Sequence, residues 1–296
     1  MSKAEEEPWR LEPQTRRRRA PWRRLARNWS AAVGAGIVAG LLAVAVLAPA
    51  LAPRGPTQLH AGFEIKPPAA AFPFGTDELG RDMLSRVIFG ARISLGAALG
   101  SVLLAASIGV PLGITIGFLS GTVDLLAMRL FDILFAFPAI LLAIALVAAL
   151  GPSLPNLIFT IALLTMPQFA IIARGATLAT TPLEYVHAAV ALGASRRRIV
   201  FAHILPNVMP PLIVAATLNL SIVILVEAGL SFLGLGTQPP TPSWGGMISR
   251  GRQYMTIAPW LVVFPGLAIM LAVFGFNLLG DGLRETLDPR LYRGGG

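Results

Sequence analysis

The sequence predicts an all-helical membrane protein that crosses the bilayer six times. Three observations support this fold class. The 296 residues are 55% hydrophobic and 13% charged, with a mean hydropathy of +0.70. Several long windows contain no charged side chain, and the basic residues gather on one predicted side of the membrane. Ordinary soluble domains are about 25% charged, so this composition excludes a soluble enzyme.

The predicted spans follow from the charge-free windows, because a helix needs about 20 consecutive apolar residues to cross a bilayer core. The windows are residues 30–52, 93–123, 133–173, 211–236 and 259–280. The third window is too long for one crossing, and the Gly- and Pro-containing segment 151–156 divides it into spans three and four. The fourth window has one internal charge, Glu227, and forms span five. Six spans is the simplest count.

The orientation follows from the Lys and Arg distribution, since short cytoplasmic segments retain these residues. With the N-terminus inside, 16 of the 24 basic residues lie on the cytoplasmic side, so both termini are expected there. The predicted regions are a basic cytoplasmic tail (1–29), the first span (30–52), an extracytoplasmic segment (53–92), a core of five spans (93–283) containing a cytoplasmic hairpin (174–209), and a cytoplasmic tail (284–296).

The N-terminal region, which comprises the basic tail and the first span, has two alternative interpretations that its sequence disfavours. Its run Arg16–Arg19 could contact nucleic acid, but beside a span it is typical of an orientation signal facing anionic lipid. Residues 50–52 resemble a signal-peptide cleavage site. The apolar stretch before them is longer than the usual 7 to 15 residues, so we expect the first span to remain.

Several catalytic chemistries lack their residues in this sequence. There is no Cys, and the three His residues (His60, His187 and His203) are far apart, so no metal site is expected. A phosphate-binding P-loop needs a Lys after its glycines, but neither Lys3 nor Lys66 follows such a loop. We therefore expect no cofactor on this chain.

The polar insert between spans four and five predicts a helical hairpin. Thr181, Pro182 and Glu184 match a capping box that would start a short helix through Leu192, and Gly193 would end it in the left-handed conformation. Ser195 would cap a second helix carrying Arg196–Arg198. A knob with small and apolar residues would fit a groove on a partner, or the hairpin would lie on lipid headgroups.

The hairpin sequence and several other segments resemble one protein family. Residues 185–195, 198–199 and 203–207 resemble the Glu-Ala-Ala loop of bacterial ATP-binding-cassette importer permeases. Residues 74–82, 85–86, 90–95, 230–236, 239–240, 244–245 and 277–284 resemble the dipeptide, oligopeptide and nickel branch of that family. The similarity covers roughly residues 30–290. One departure is His187, where the general motif has Glu; Glu184 could supply the carboxylate, although capping already explains it.

The resemblance implies a type I importer permease with a MetI-like fold. It implies a second, similar permease subunit, two cytoplasmic ATPases that bind ATP and Mg, and an extracytoplasmic solute-binding protein. It also implies that the hairpin is a coupling helix docked on the ATPase. The residues it assigns to coupling are Leu183, Glu184, Tyr185, Ala188, Ala189, Gly193, Ala194 and Ser195. The expected cargo is a di- or oligopeptide, although glutathione and nickel importers share these motifs.

Polar residues inside span five are candidates for the substrate path, because ionisable groups within a membrane normally face a cavity or a partner. Asn219 and Glu227 are these candidates; pairing of Glu227 with the companion subunit or a backbone amide is the alternative. Near span three, Arg129 is expected to pair with Asp132.

An intramembrane protease and a secondary transporter are the two rival functions for a helical membrane protein of this composition. An intramembrane protease would need His203 beside Ser231, but the two are about 40 Å apart along a helix. An ion-coupled secondary transporter is the alternative function, although no inverted repeats are apparent.

Overall fold

The computed structural model describes residues 28–287. The basic tail up to residue 27 and the last part of the C-terminal tail, residues 288–296, lie outside the described residues. Within the described residues the chain is helical, with two isolated β-bridges and no strand. The helices are α1 (Trp29–Val46), α2 (Ala48–Leu51), α3 (Met83–Leu119), α4 (Gly121–Phe135), α5 (Ala139–Leu150), α6 (Leu154–Thr180), α7 (Glu184–Ala191), α8 (Arg196–Ile199), α9 (Leu205–Phe232), α10 (Trp244–Gly251) and α11 (Trp260–Leu287). A π-helical turn (Val200–Ile204) joins α8 to α9.

The predicted all-helical membrane fold is confirmed. Five helices are long and apolar enough to cross a membrane: α1, α3, α6, the continuous helix Arg196–Phe232, and α11. The pair α4 and α5 is long and apolar enough only when taken together and is bent by 85°, which makes it either a broken sixth span or a re-entrant loop. The break precedes α5 at Pro138, whose ring nitrogen cannot donate to the helical ladder.

Charge-free windows found the spans but not the helix ends. Helix α3 begins at Met83, ten residues before the window starts, because Asp82 caps it by accepting a hydrogen bond from the Ser85 amide (2.9 Å). Its 37 residues extend for about 55 Å, well beyond the roughly 30 Å bilayer core. Charged residues such as Arg86 therefore lie in the same helix as the apolar window, outside its apolar part.

Glycines bring α3 and α6 into close contact. Gly109, Gly113 and Gly117 are spaced four residues apart on one face of α3. A Cβ atom added at Gly109 would lie 2.5 Å from the Met166 carbonyl oxygen, and one at Gly113 would overlap Ala170 backbone atoms. Small residues let helix backbones approach closely in membranes, where van der Waals packing replaces the hydrophobic driving force. The pair α3–α6 is therefore held by backbone contact at the centre of the molecule.

The first and last spans pack in the same way. A Cβ at Gly34 of α1 would lie 2.9 Å from the Gly275 carbonyl oxygen of α11. Helix α11 also joins α9, because the Ser221 hydroxyl donates to the Asn277 side-chain oxygen (2.8 Å). The terminal helices of the described chain thus pack against each other and onto span five.

The sequence does not predict a fold for the extracytoplasmic segment 53–92; its residues 53–82 form an irregular loop, and residues 83–92 belong to α3. The loop backbone closes on itself through the bridges Ala69–Phe72 and Thr76–Asp82. The Trp260 indole donates to the Thr76 carbonyl oxygen (3.2 Å), and the Phe74 ring stacks on Phe264 with centroids 3.9 Å apart. These contacts fix the segment to the start of α11.

Candidate functional site: the hairpin between the fourth and fifth spans

The first helix of the hairpin is α7, and its start differs from the prediction. The capping box was wrong: Thr181 ends α6 instead, and its hydroxyl donates back to the Thr177 carbonyl oxygen (2.8 Å). Pro182 lacks the amide that would extend α6, so the chain turns there. The N-cap is Leu183, which has no side-chain cap bond, and Glu184 is the first helical residue. Glu184 therefore acts as a first-turn carboxylate, favoured by the helix dipole, and not as the third member of a box.

The end of α7 is as predicted. Gly193 has φ +79°, in the left-handed region. The Ala194 amide donates to the Ala189 carbonyl oxygen (3.0 Å), and the Gly193 amide donates to that of Val190 (2.9 Å). These two bonds form a Schellman motif, which satisfies the last carbonyl groups of the helix.

The second arm of the hairpin is continuous with span five. Ser195 caps α8 as predicted, accepting from the Arg198 amide. The helix then passes through the π-turn into α9 without a break, so the second arm and span five form one continuous helix that contains Pro206. Because Pro206 cannot donate to the Ala202 carbonyl oxygen, the ladder shifts there, and the Leu205 amide bonds Val200, five residues back.

The two arms are joined by a hydrogen bond that the sequence reasoning missed. The Asn207 side-chain amide donates to the Tyr185 hydroxyl of α7 (3.1 Å) and to the His203 carbonyl oxygen (2.6 Å). The Tyr185 and His203 rings are also near each other, with centroids 6.0 Å apart. Asn207 therefore ties α7 to the start of span five. The sequence feature that could have indicated this bond is Asn207 itself, one helical turn after His203. Its side-chain amide reaches a carbonyl oxygen in the stretch where Pro206 leaves the backbone hydrogen bonds of the helix incomplete.

The outer surface of the hairpin is apolar and exposed. Leu192 is 88% exposed, and Leu183 and Tyr185 are more than 40% exposed. Ala188 and Gly193 are also exposed, and Ala189 and Ala194 are half-buried. On the other side of α7, Val186 is buried against the core. Among the described residues, the hairpin thus has an anchored face and an exposed face, and it can present the exposed face to another protein.

Ion pairs lie near the bent span. Arg129 and Asp132 pair as predicted (3.7 Å), and both are exposed. Asp124 instead pairs with Arg174 of α6, whose Nη2 atom donates to Asp124 Oδ2 (2.6 Å). This second pair, which the sequence reasoning did not anticipate, links α4 to the end of α6 that leads into the hairpin.

The candidate substrate-path residues of α9 are both buried within the chain. Glu227 has no exposed surface, and its Oε1 atom accepts from the Ser231 hydroxyl (2.7 Å). Among the described residues, its Oε2 atom has no hydrogen-bond partner. The Asn219 amide donates to the Ala215 carbonyl oxygen (2.9 Å). In this conformation neither side chain reaches a surface, and their role in the substrate path stays a prediction.

A second polar cluster lies at the other end of the molecule and was not singled out from the sequence. Asp77 Oδ2 accepts from Arg81 Nε (2.6 Å) and lies 3.3 Å from Arg86 Nε, while Glu78 accepts from Arg81 Nη2 (3.0 Å). Arg250 approaches Glu78 (3.8 Å), and burial lowers the pKa of its guanidinium group from the ordinary value. The cluster encloses about 10 Å³, and it ties the loop 53–82 to α3 and α10.

Two protein families match this chain. The binding-protein-dependent transport system inner membrane component family matches residues 109–293, which is more than half of the chain. The N-terminal transmembrane domain of oligopeptide transport permease C matches residues 15–68. Together they cover the first span, the last part of α3 from residue 109 and every span after it.

Individual proteins are similar over nearly the whole chain. The dipeptide transport system permease protein DppC of Alkalihalophilus pseudofirmus is 44% identical over 92% of this chain and 91% of its own. The di/tripeptide permease DppC of Pseudomonas aeruginosa is 45% identical over 91% of each chain. The glutathione permease GsiD of Pectobacterium atrosepticum is 44% identical over 92% of each chain.

One solved structure shares the fold. A chain of the MetNI methionine ABC transporter, in an inward-facing conformation, aligns with 70% of this chain and 98% of its own, with a TM-score of 0.54 and 21% identity. The resemblance found in the sequence is confirmed, as are the MetI-like fold and an inner-membrane location, while the secondary-transporter alternative gains no support. The chain belongs to the family of inner membrane components of binding-protein-dependent transport systems.

Proposed function

We propose that this chain is the permease subunit of an ATP-driven importer for di- or oligopeptides, and that it forms half of the translocation pore. Its hairpin couples the pore to cytoplasmic ATPases. The single observation that carries the proposal is the rigid, exposed hairpin, built as the direct extension of a membrane-spanning helix. Both termini and the hairpin lie in the cytoplasm, in keeping with the excess of Arg on that side.

The hairpin has the mechanical properties of a coupling element. Its helix is closed by the Schellman motif at Gly193, and the following arm is capped by Ser195. Asn207 ties the arms together across Tyr185. A displacement of α7 by a moving ATPase therefore reaches α9 as a rigid-body movement, since no flexible linker lies between them.

The exposed face of the hairpin provides the docking surface. Leu183, Glu184, Tyr185, Ala188, Gly193 and Ser195 are exposed, and Ala189 and Ala194 lie half-buried beside them. Small residues permit close approach, and Leu192 projects as an apolar anchor. Glu184 adds a carboxylate at the rim of this surface, whereas position 187, where the general motif has Glu, is His in this chain.

The remaining parts of the importer come from other chains. A similar second permease completes the pore, two ATPases bind ATP and Mg, and a solute-binding protein delivers the cargo outside. This chain binds no cofactor of its own. Peptide cargo is supported by the relatives, which are named for dipeptides, di- and tripeptides, and glutathione.

The proposal is tested by co-purification of the tagged full-length chain from membranes that contain its neighbours. Wild type should bring down a second permease and an ATPase whose hydrolysis rises when binding protein and dipeptide are added. Ala188→Arg, on the exposed face of α7, should lose the ATPase. Ala61→Arg, the same change at an exposed position in the loop 53–82, should retain it. Failure of wild type to bind any ATPase, or equal loss in both variants, would contradict the proposal.

A further inference from the structure

A cavity opens beneath the hairpin, on the side away from the proposed ATPase surface. It has a volume of about 320 Å³ and is lined by Phe118, Leu119, Thr181, Val186, His187, Val190, Arg196 and Ile199. The walls come from three places: the end of α3, the end of α6 and both arms of the hairpin. This cavity has no part in the coupling mechanism described above.

The position of the cavity is set by two spans. Helix α3 ends at Leu119 and α6 ends at Thr180, and both cross the membrane. The cavity therefore lies where the apolar interior gives way to the headgroup layer. Leu119 and Val190 are about half exposed, so its apolar wall is open to the surroundings.

The walls of the cavity are of two kinds. Phe118, Leu119 and Val190 make part of the lining apolar. Arg196 and His187 make another part of it polar, and both can donate hydrogen bonds to a phosphate oxygen. A molecule that fills the cavity must therefore carry an anionic group next to an apolar body.

The charges around the cavity favour an anion. Arg196, Arg197 and Arg198 follow one another and are all exposed. The acidic residue of α7, Glu184, does not line the cavity. Asp124, the acidic residue at the start of α4, is already paired with Arg174. The hairpin beside the cavity thus has an excess of positive charge.

The cavity face and the outer face of α7 are separate. Ala188 and Val190 are two residues apart, so their side chains point about 160° apart around the helix. Ala188 belongs to the outer exposed face, whereas Val190 lines the cavity. A partner on the outer face therefore leaves the cavity open toward the membrane.

We propose that this cavity binds the headgroup of one anionic phospholipid. Arg196 and His187 hold the phosphate, and Phe118, Leu119 and Val190 contact the glycerol and the first carbons of the acyl chains. Basic pockets between transmembrane helices on the cytoplasmic side are suited to such headgroups. The bound lipid spans from the end of α3 to the second arm and so steadies the hairpin at the membrane surface. The inference rests on the membrane fold and does not require ATPase docking.

The test measures lipid bound to the purified full-length chain with its co-purifying partners in neutral detergent. Dioleoyl phosphatidylglycerol is titrated, and retained lipid is counted by native mass spectrometry, with dioleoyl phosphatidylcholine as the neutral comparison. Wild type should retain one phosphatidylglycerol that phosphatidylcholine does not displace. Arg196→Ala should weaken its binding about fivefold, because one basic residue near a headgroup contributes roughly that factor. Arg197→Ala, the same change beside the cavity, should weaken it less than twofold.

A second variant separates site occupancy from general charge. Val190→Trp fills the cavity without changing the net charge and should abolish the retained lipid, while the chain stays monodisperse. Equal weakening by Arg196→Ala and Arg197→Ala would overturn the proposal, because binding would then follow overall charge. Equal retention of phosphatidylcholine, or full retention of phosphatidylglycerol by Val190→Trp, would overturn it too.

Discussion

Gly193 offers the cleanest test of the hairpin as a rigid element. Its φ of +79° lies in the region that non-glycine residues avoid, but an added Cβ would meet no atom within 4 Å. The effect of Gly193→Ala is therefore purely conformational, with no steric clash to confuse it. The left-handed conformation costs an L-residue about 1–2 kcal/mol, which favours an opened helix end by roughly 5- to 30-fold.

The structure shows which hydrogen bonds at the end of α7 the Gly193→Ala substitution would break. The Schellman bonds from Ala194 to Ala189 and from Gly193 to Val190 would break, and the last turn of α7 would fray. Helix α7 has only eight residues, so losing one turn removes a large part of it. Uptake per ATP hydrolysed should fall about tenfold in Gly193→Ala, because a frayed α7 transmits the movement of the ATPase poorly to α9.

The assay is dipeptide uptake per ATP hydrolysed in proteoliposomes that contain the binding protein. Gly193→Asn is the matched control, because Asn tolerates the left-handed conformation better than Ala, and it should keep more than half of wild-type uptake. The reasoning is refuted if Ala and Asn variants behave alike, or if Gly193→Ala matches wild type.

Three further tests address other parts of the structure. Tyr185→Phe and Asn207→Ala should each lower uptake per ATP hydrolysed. A double-mutant cycle on these uptake ratios, converted to free energies, should give about 0.5–1.5 kcal/mol of coupling between the two side chains. Additive effects would show that the hydrogen bond between them does not contribute to uptake. Gly113→Ala should destabilise the chain by about 1–3 kcal/mol, seen as a lower thermal midpoint in detergent, whereas Gly96→Ala, with no atom within 4 Å, should not; equal midpoints would contradict the close α3–α6 contact. Glu227→Gln should keep the hydrogen bond from the Ser231 hydroxyl and support uptake within twofold of wild type. A complete loss of uptake would contradict this, because it would show that transport requires a charged carboxylate at this position.

Much of the membrane fold could be predicted because the bilayer imposes a simple rule. Every backbone polar group must be satisfied within the segment, so apolar length alone locates the spans. Charge-free windows do not locate the helix ends, because these ends are set by local interactions such as capping hydrogen bonds. Met83 starts α3 because Asp82 caps it, and no hydropathy value reports that bond.

The hairpin shows which local signals can be trusted. Gly193 and Ser195 were predicted correctly because each acts through its own backbone or its own short side chain. The prediction that Thr181 caps α7 was wrong because its hydroxyl can either cap a new helix or donate back to the preceding one, and α6 continues up to Thr181. The continuation of α8 into α9 has no signal in the sequence, because Pro206 usually ends or kinks a helix, whereas a π-turn accommodates it here.

Polar pairs between residues far apart in the chain could not be predicted from the sequence. Asp124 and Arg174 are 50 residues apart, and Asn207 and Tyr185 are 22 apart. Neither pair follows a helical spacing, so each depends on how the spans pack. The glycine stripe on α3 was visible as a spacing of four, but its partner α6 could not be named without the fold.

The absence of Cys from the sequence permits a direct measurement of the central claim, that the hairpin docks on the ATPase. Leu192→Cys places one thiol on the 88% exposed tip of the hairpin, and Leu59→Cys places one on the 64% exposed loop 53–82. Each is labelled with maleimide-benzophenone in membranes that contain the assembled complex and then irradiated. The account predicts a crosslink from position 192 to the ATPase and no crosslink from position 59 to the ATPase. A crosslink from position 59 to the ATPase, or the absence of one from position 192 while the ATPase co-purifies, would contradict it.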